Sequence, residues 1–171
     1  MSLDHIIDRW TEVRAGFIDE LAHIPADQFD FRATPDVRSV TEIVRHVVEA
    51  QKVMAGEVCR EDTNFKRMPI FDLIKSYASD VNAVEGKDAL IELMKESMKT
   101  AETDLRSFGE AALEATMERL DGKLMPKADF LHFLISHEMY HRGQITVYQR
   151  LLGMEPVITG RLRQFLAAQP K

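Results

Sequence analysis

Two histidines four residues apart, His137 and His141, stand in the run His137-Glu138-Met139-Tyr140-His141-Arg142-Gly143-Gln144. On a helix that spacing turns the second ring only about 40° from the first and sets it roughly 6 Å further along the axis, so one metal ion can touch both. The pair shares a face with Phe130 and Leu134 before it and Gln144 and Tyr148 after it, which points both rings toward a core. A buried imidazole is costly unless its nitrogens are satisfied, and two so close resist joint protonation; neutral rings sharing one cation remove both problems. The other reading has one ring buried with a hydrogen bond and its neighbour at the rim. Far upstream, His46 lies beside an apolar side made by Ile43, Val47 and Ala50. It is either a third ligand from a facing helix or a half-buried histidine satisfied by a carbonyl or carboxylate. Three ligands and an open position are what a catalytic zinc-like site requires, because water or a substrate oxygen or sulfur must bind there. All-nitrogen ligation suits zinc, nickel or iron(II), and these residues do not choose among them.

The same run matches the zinc-peptidase pattern His-Glu-x-x-His, in which Glu138 would be the general base and a third ligand would follow. The extended pattern wants Gly three residues after the second His and another His three beyond; Gln144 and Val147 stand there. No histidine follows His141, and the last acidic residue, Glu155, lies in a turn, so a metallopeptidase is disfavoured. Glu138, about 100° around from His137, reads as a flank or salt-bridge residue, with a proton shuttle at the rim as its other role. Arg142 reads as pairing with an acid such as Glu138, or else as attracting a carboxylate or thiolate. Tyr140 reads as interhelical packing, Gly143 as an allowance for close packing, and Gln144 as either a hydrogen-bonding pocket residue or a buried structural amide. His132, about 140° from His137, faces another side. No residue is assigned a catalytic role.

Four long apolar periodicities must carry these side chains. The first covers residues 3–24, with Leu3, Ile6, Ile7, Trp10, Val13, Phe17 and Leu21 on one side and Arg9, Glu12, Arg14 and Glu20 among the intervening charges, ending at Pro25. Phe29 and Phe31 anchor a connection across one end of the core. Ser39 and Glu42 form a capping box for a second helix reaching Val58. A polar break over residues 60–64 and a short helix after Pro69 lead to a third long helix between Gly86 and Gly109. On that helix Ser97 and Ala101 leave room for a pocket or allow closer packing. Residues 111–127 fit either helical turns or an extended segment ending at Asp121-Gly122. The fourth long helix begins after Pro126 and stops at Gly153 and Pro156, followed by a last short helix over residues 158–168. Four amphipathic helices with no strongly alternating stretch imply an all-α, four-helix bundle with short additional helices, in one domain over residues 1–171.

Composition narrows the function. Lys and Arg number 22 against 28 Asp and Glu, a formal charge of -6, which argues against nucleic acid as a partner. No apolar run approaches the 18 residues of a membrane span, and the start of the chain lacks the basic-then-apolar pattern of a secretory signal, so a cytoplasmic location is expected. The single cysteine, Cys59, cannot form an internal disulfide and reads as inert.

His46, the 137–145 run and the exit Leu152-Gly153-Met154-Glu155-Pro156 together resemble the DinB/YfiT-like family. The resemblance extends over roughly residues 3–156 and implies an up-down-down-up bundle and a histidine triad, which carries over to His46, His137 and His141 as ligands of a divalent metal ion. Zinc or nickel heads that expectation and iron stays open. Many members also have a tryptophan before the second helix, and none stands at that place here. Relatives include thiol-dependent transferases and isomerases, so the resemblance implies a low-molecular-weight thiol and a small electrophile as partners, and a homodimer. The competing expectations are a non-catalytic metal-binding or stress-linked bundle protein and a hydrolase of a small substrate.

Overall fold

The computed structural model describes residues 2–62 and 64–169; Thr63, inside the expected polar break, lies outside the described residues, as do the ends of the proposed 1–171 domain. Six α-helices follow in order: α1 (Leu3–His23), α2 (Val40–Val58), α3 (Ile70–Ala78), α4 (Lys87–Phe108), α5 (Lys127–Leu151) and α6 (Val157–Ala167). The expected capping box forms: Ser39 Oγ accepts from the Glu42 amide at 3.2 Å, and the Glu42 carboxylate accepts from the Ser39 amide at 2.9 Å. Both limits of α4 are glycines with φ of 84° and 90°, a conformation that a side chain would strain.

Which residues meet fixes the helix directions. Along α1 and α5 the contacts climb together, with Trp10 and Arg14 on Glu138 and the Glu20 carbonyl on Gln149, so these helices are parallel. Helix α4 runs against α1, since Asp4 pairs with Arg106 at one end while Lys87 binds the carbonyls of Ala22 and Ile24 at the other. Helix α2 runs against α5: His46 meets His137, and Tyr148 donates to the Arg38 carbonyl just ahead of α2. Helices α2 and α4 are therefore parallel, which gives the up-down-down-up order. The chain must return along the whole bundle between them, and the segment carrying α3 makes that crossing.

The 111–127 segment combines both readings of it. A 3-10 stretch (Glu110–Glu114) leads into a small antiparallel hairpin, β1 (Thr116–Glu118) and β2 (Leu124–Pro126), with Met117 opposite Met125 and the turn at Asp121-Gly122. Gly122 has φ 83°, which the tight turn requires.

The apolar interior is in two clusters. One gathers Ile6, Trp10, Phe65, Leu105 and Leu131; the other gathers Phe17, Leu21, Val44, Met94 and Ile145. Between them lies a polar layer with one member from each long helix: Arg14, Gln51, Ser97 and Glu138, all buried. Arg14 donates to both Glu138 oxygens, to Gln51 Oε1 at 2.8 Å and to the Met94 carbonyl at 2.7 Å. Gln51 in turn donates to the Ser97 carbonyl, and Ser97 Oγ to Gln51 Oε1. The layer corrects two expectations. Arg14 is not a solvent-side charge, and Ser97 serves hydrogen bonding rather than spacing. Glu20, also read as an outer charge, is fully buried and accepts from the amides of Val157 and Ile158 at 2.8 and 3.0 Å, fastening the start of α6. Among the described residues no helix is long and apolar enough to cross a membrane.

Candidate metal centre

The polar layer sets how α5 is rotated. With Glu138 turned toward α1, the residues on either side of it, His137 and His141, are left to face α2. His46, just over one turn before Gln51 on α2, meets them there. The Nε2 atoms of His46 and His137 are 3.2 Å apart, and those of His141 and His137 are 3.1 Å apart. One nitrogen from each ring can be chosen so that all lie within 4.8 Å of one another, and this is the cluster among the described residues that could hold a metal ion. Nitrogens about 2.0–2.1 Å from a tetrahedral zinc-like ion are separated by about 3.3 Å, and the two separations from His137 match that spacing. The rings stand at 65–79° to one another in T-shaped pairs, with centroids 4.5–5.1 Å apart.

Protonation favours the same use. Burial lowers the His46 and His137 imidazoles from 6.5 to about 4, with the Arg38 charge and the neighbouring rings pushing the same way. His141 is lowered chiefly by burial, against a hydrogen bond from its ring to Gln144. All three are neutral at pH 7 and have lone pairs to offer. His141 Nδ1–H donates to Gln144 Oε1 at 2.7 Å, which leaves its Nε2 lone pair aimed at the centre. His137 Nδ1 is buried without a hydrogen-bond partner, so the polar engagement of that ring is at the centre.

Several neighbours depart from their expected roles. Glu138 is wholly buried against Arg14 and Trp10, whose Nε1–H donates to Oε2 at 2.8 Å. It is a salt-bridge residue facing away from the histidines, neither rim shuttle nor metal-side base, and the peptidase reading loses its base. Arg142 approaches Glu20 at 3.6 Å instead of Glu138. Tyr140 is 65 % exposed and makes a T-shaped ring contact with His141 rather than packing between helices, and a side chain at Gly143 would meet open space. Gln144 does hydrogen-bond at the site, as one of its two readings required. His132 stays outside the cluster. Cys59 is half-buried, and burial pushes its thiol up to about 11, so it remains protonated and unreactive.

Sequence reasoning missed two features beside the triad. An apolar cavity of about 360 Å³ opens against His46 and His137, walled by α2, α3, α5 and the tip of the β-hairpin. A smaller polar recess of about 290 Å³, under Arg38 and Arg45, also borders His46. The hairpin wall had no periodicity to announce it, and the recess forms where Arg38 and Asn82, from two separate connections, come against the side of α2, which only packing determines.

No curated protein matches the chain. Among solved structures it is similar to a DinB-like protein from Bacillus cereus ATCC 10987, at 18% identity and a TM-score of 0.68 over 91% of this chain and 95% of that one. It is also similar to YfiT from Bacillus subtilis, described as a probable metal-dependent hydrolase with an unusual four-helix bundle topology, at 16% identity and a TM-score of 0.67 over 89% and 88% of the two chains. A third likeness is to the mycothiol-dependent maleylpyruvate isomerase, at 13% identity and a TM-score of 0.67, covering 85% of this chain and 61% of that one. The model of the DinB family matches residues 1–171, and with the helix order and the converging histidines already in hand, the chain belongs to the DinB family.

Proposed function

We propose that the chain is a metal-dependent enzyme that transfers a low-molecular-weight thiol to a small electrophile, with His46, His137 and His141 as ligands of a divalent ion, zinc or nickel first. The observation that carries it is the convergence of three neutral imidazole nitrogens from two facing helices, beside a cavity large enough for a substrate. A divalent ion held there would supply Lewis acidity, which lowers the pKa of a thiol and favours the thiolate. The chain's own residues do the rest. Gln144 holds His141 in the tautomer that offers Nε2, and Arg38 adds positive potential that favours an anionic sulfur. In the transfer, the sulfur forms a bond to carbon, the leaving group departs with its electron pair, and the thiol proton passes to solvent. Glu138 is committed to Arg14 and Trp10 and takes no proton.

Hydrolysis is the second reading, because Glu49 borders both the apolar cavity and the polar recess and is a carboxylate within the site. Thiol transfer leads because the recess beside His46 carries Arg38, which suits an anionic reactant. Protein loaded with zinc or nickel is expected to conjugate at least one member of a thiol panel to an electrophile, and His141→Ala should remove that turnover while circular dichroism shows the fold retained. Metal binding without turnover of any thiol, together with cleavage of an ester or amide panel that Glu49→Gln suppresses, would replace transfer by hydrolysis.

A further inference from the structure

The apolar cavity is too specialised in character to be a mere gap beside a polar site. Its depth is formed by Phe65 and Phe130 from the core, its sides by Val53 and Ile74, and its mouth by Ile70 and Phe133, which are 36% and 50% exposed. Polar groups lie at the entrance, where Arg119 and Asp121 of the hairpin turn pair with each other at 3.2 Å and so offer no free charge to a ligand entering between them. At about 360 Å³ it is more than twice the roughly 150 Å³ of an apolar cavity known to hold benzene, which makes room for one substituted ring or a branched chain of similar size. His46 and His137 contribute to its lining, so a molecule seated there lies against the side of the triad that these two rings form. The polar recess on the far side of His46 is built differently. Its acids are engaged, Glu42 by Arg32 and Glu49 by Asn82, while Arg38 makes no ion pair among the described residues. Charged and hydrogen-bonding parts of a reactant are therefore better accommodated there than in the cavity.

We infer that the cavity between α2, α3, α5 and the β-hairpin is the subsite for an uncharged aryl or branched-alkyl group of the electrophile, directing its reacting atom to the His46 and His137 edges of the triad. This rests on the metal-dependent reading for the identity of the reacting molecule, but the subsite is testable without metal. The probe is benzyl alcohol, a neutral molecule of one ring, titrated into the metal-free full-length protein while the methyl resonances of Val53, Ile70 and Ile74 are followed by NMR. Saturable shifts confined to these methyls are expected, weakened at least about tenfold by Ile70→Asp or Phe133→Ser. Both changes lie at half-open positions, and unchanged thermal melting verifies that the fold survives. Glycerol at equal concentration should move none of the methyls. In cobalt(II)-loaded protein the methylene protons of bound benzyl alcohol should relax faster than its far ring protons, because that end points to the triad.

Absence of saturable shifts in the wild type, or binding that both folded variants leave unchanged, would overturn the inference whether or not metal binds. Shifts without any cobalt uptake support the apolar subsite and instead remove the metal-dependent reading. Cobalt uptake with methyls indifferent to the probe does the reverse.

Discussion

Glu138→Gln separates the two roles that a glutamate beside metal-site histidines can have. The change keeps the side chain's shape and one acceptor for Trp10 Nε1–H, but it removes the charge that faces Arg14 in a layer where both side chains are at most 3% exposed. Arg14 retains hydrogen bonds to Gln51, Ser97 and the Met94 carbonyl, none of which carries a negative charge. Removing one partner of a buried ion pair costs about 3–5 kcal/mol, because the other charge stays desolvated. For a chain of this length each kcal/mol lowers Tm by about 2–4 °C, so a fall of about 6–20 °C is expected. The urea midpoint of the metal-free protein should drop with an unchanged m-value. Replacing both charges, Arg14→Met with Glu138→Leu, should restore most of the loss, since well-packed apolar residues often match or exceed a buried pair. Cobalt(II) affinity of Glu138→Gln, measured well below its melting temperature, should remain within a few fold of wild type. Full stability in the single variant, combined with abolished metal-dependent turnover, would refute this reasoning and return Glu138 to the reacting atoms.

His46→Ala should lower cobalt(II) affinity by more than the roughly 10–100-fold typical of losing a supporting residue, with the helical circular dichroism intact, as read by competition against a chromophoric chelator. Gln144→Leu should fall within that 10–100-fold range, because it frees the His141 ring to turn or change tautomer without removing a ligand. The pH dependence has a definite sign. His46 and His137 bind protons near pH 4 when folded and at their ordinary 6.5 when unfolded, so the unfolded chain takes up more protons between these values. Stability of the metal-free protein should therefore be full above about pH 6.5 and fall as the pH drops toward 4, and His46→Ala should flatten that slope in urea titrations. Glu20→Ala should cost about 1.5–3 kcal/mol by removing a buried charged acceptor from the amides of Val157 and Ile158, and it should expose the start of α6 to hydrogen exchange before the rest of the bundle.

Much of the architecture is legible in residue spacing, because each long helix carries its own apolar stripe and its own stop signals. The Ser39–Glu42 capping box, the glycines around α4 and the Gly153-Pro156 exit are local devices, and local chemistry suffices to read them. The i,i+4 spacing of His137 and His141 likewise determines that two rings share a face, whatever they face. What spacing could not determine is which partner each polar residue on a helix would find. Arg14 and Glu20 look like solvent charges along α1, yet they are buried because Glu138 and the α6 amides, more than 120 residues away, are brought against them. Placing His46 opposite the pair required either a family resemblance or the fold, since no local rule relates positions 91 residues apart. Residues 111–127 were readable two ways because three-residue strands are too short for periodicity, and their hairpin becomes a cavity wall only where it packs against α5 and faces α2 across the cavity. Sequence alone thus determined helices, their ends and a pair of rings on one side of the last long helix. Tertiary structure decided the third ring, the buried charge behind the site and the apolar cavity beside it, because burial, charge compensation and enclosed volume arise only when distant segments exclude water from one another.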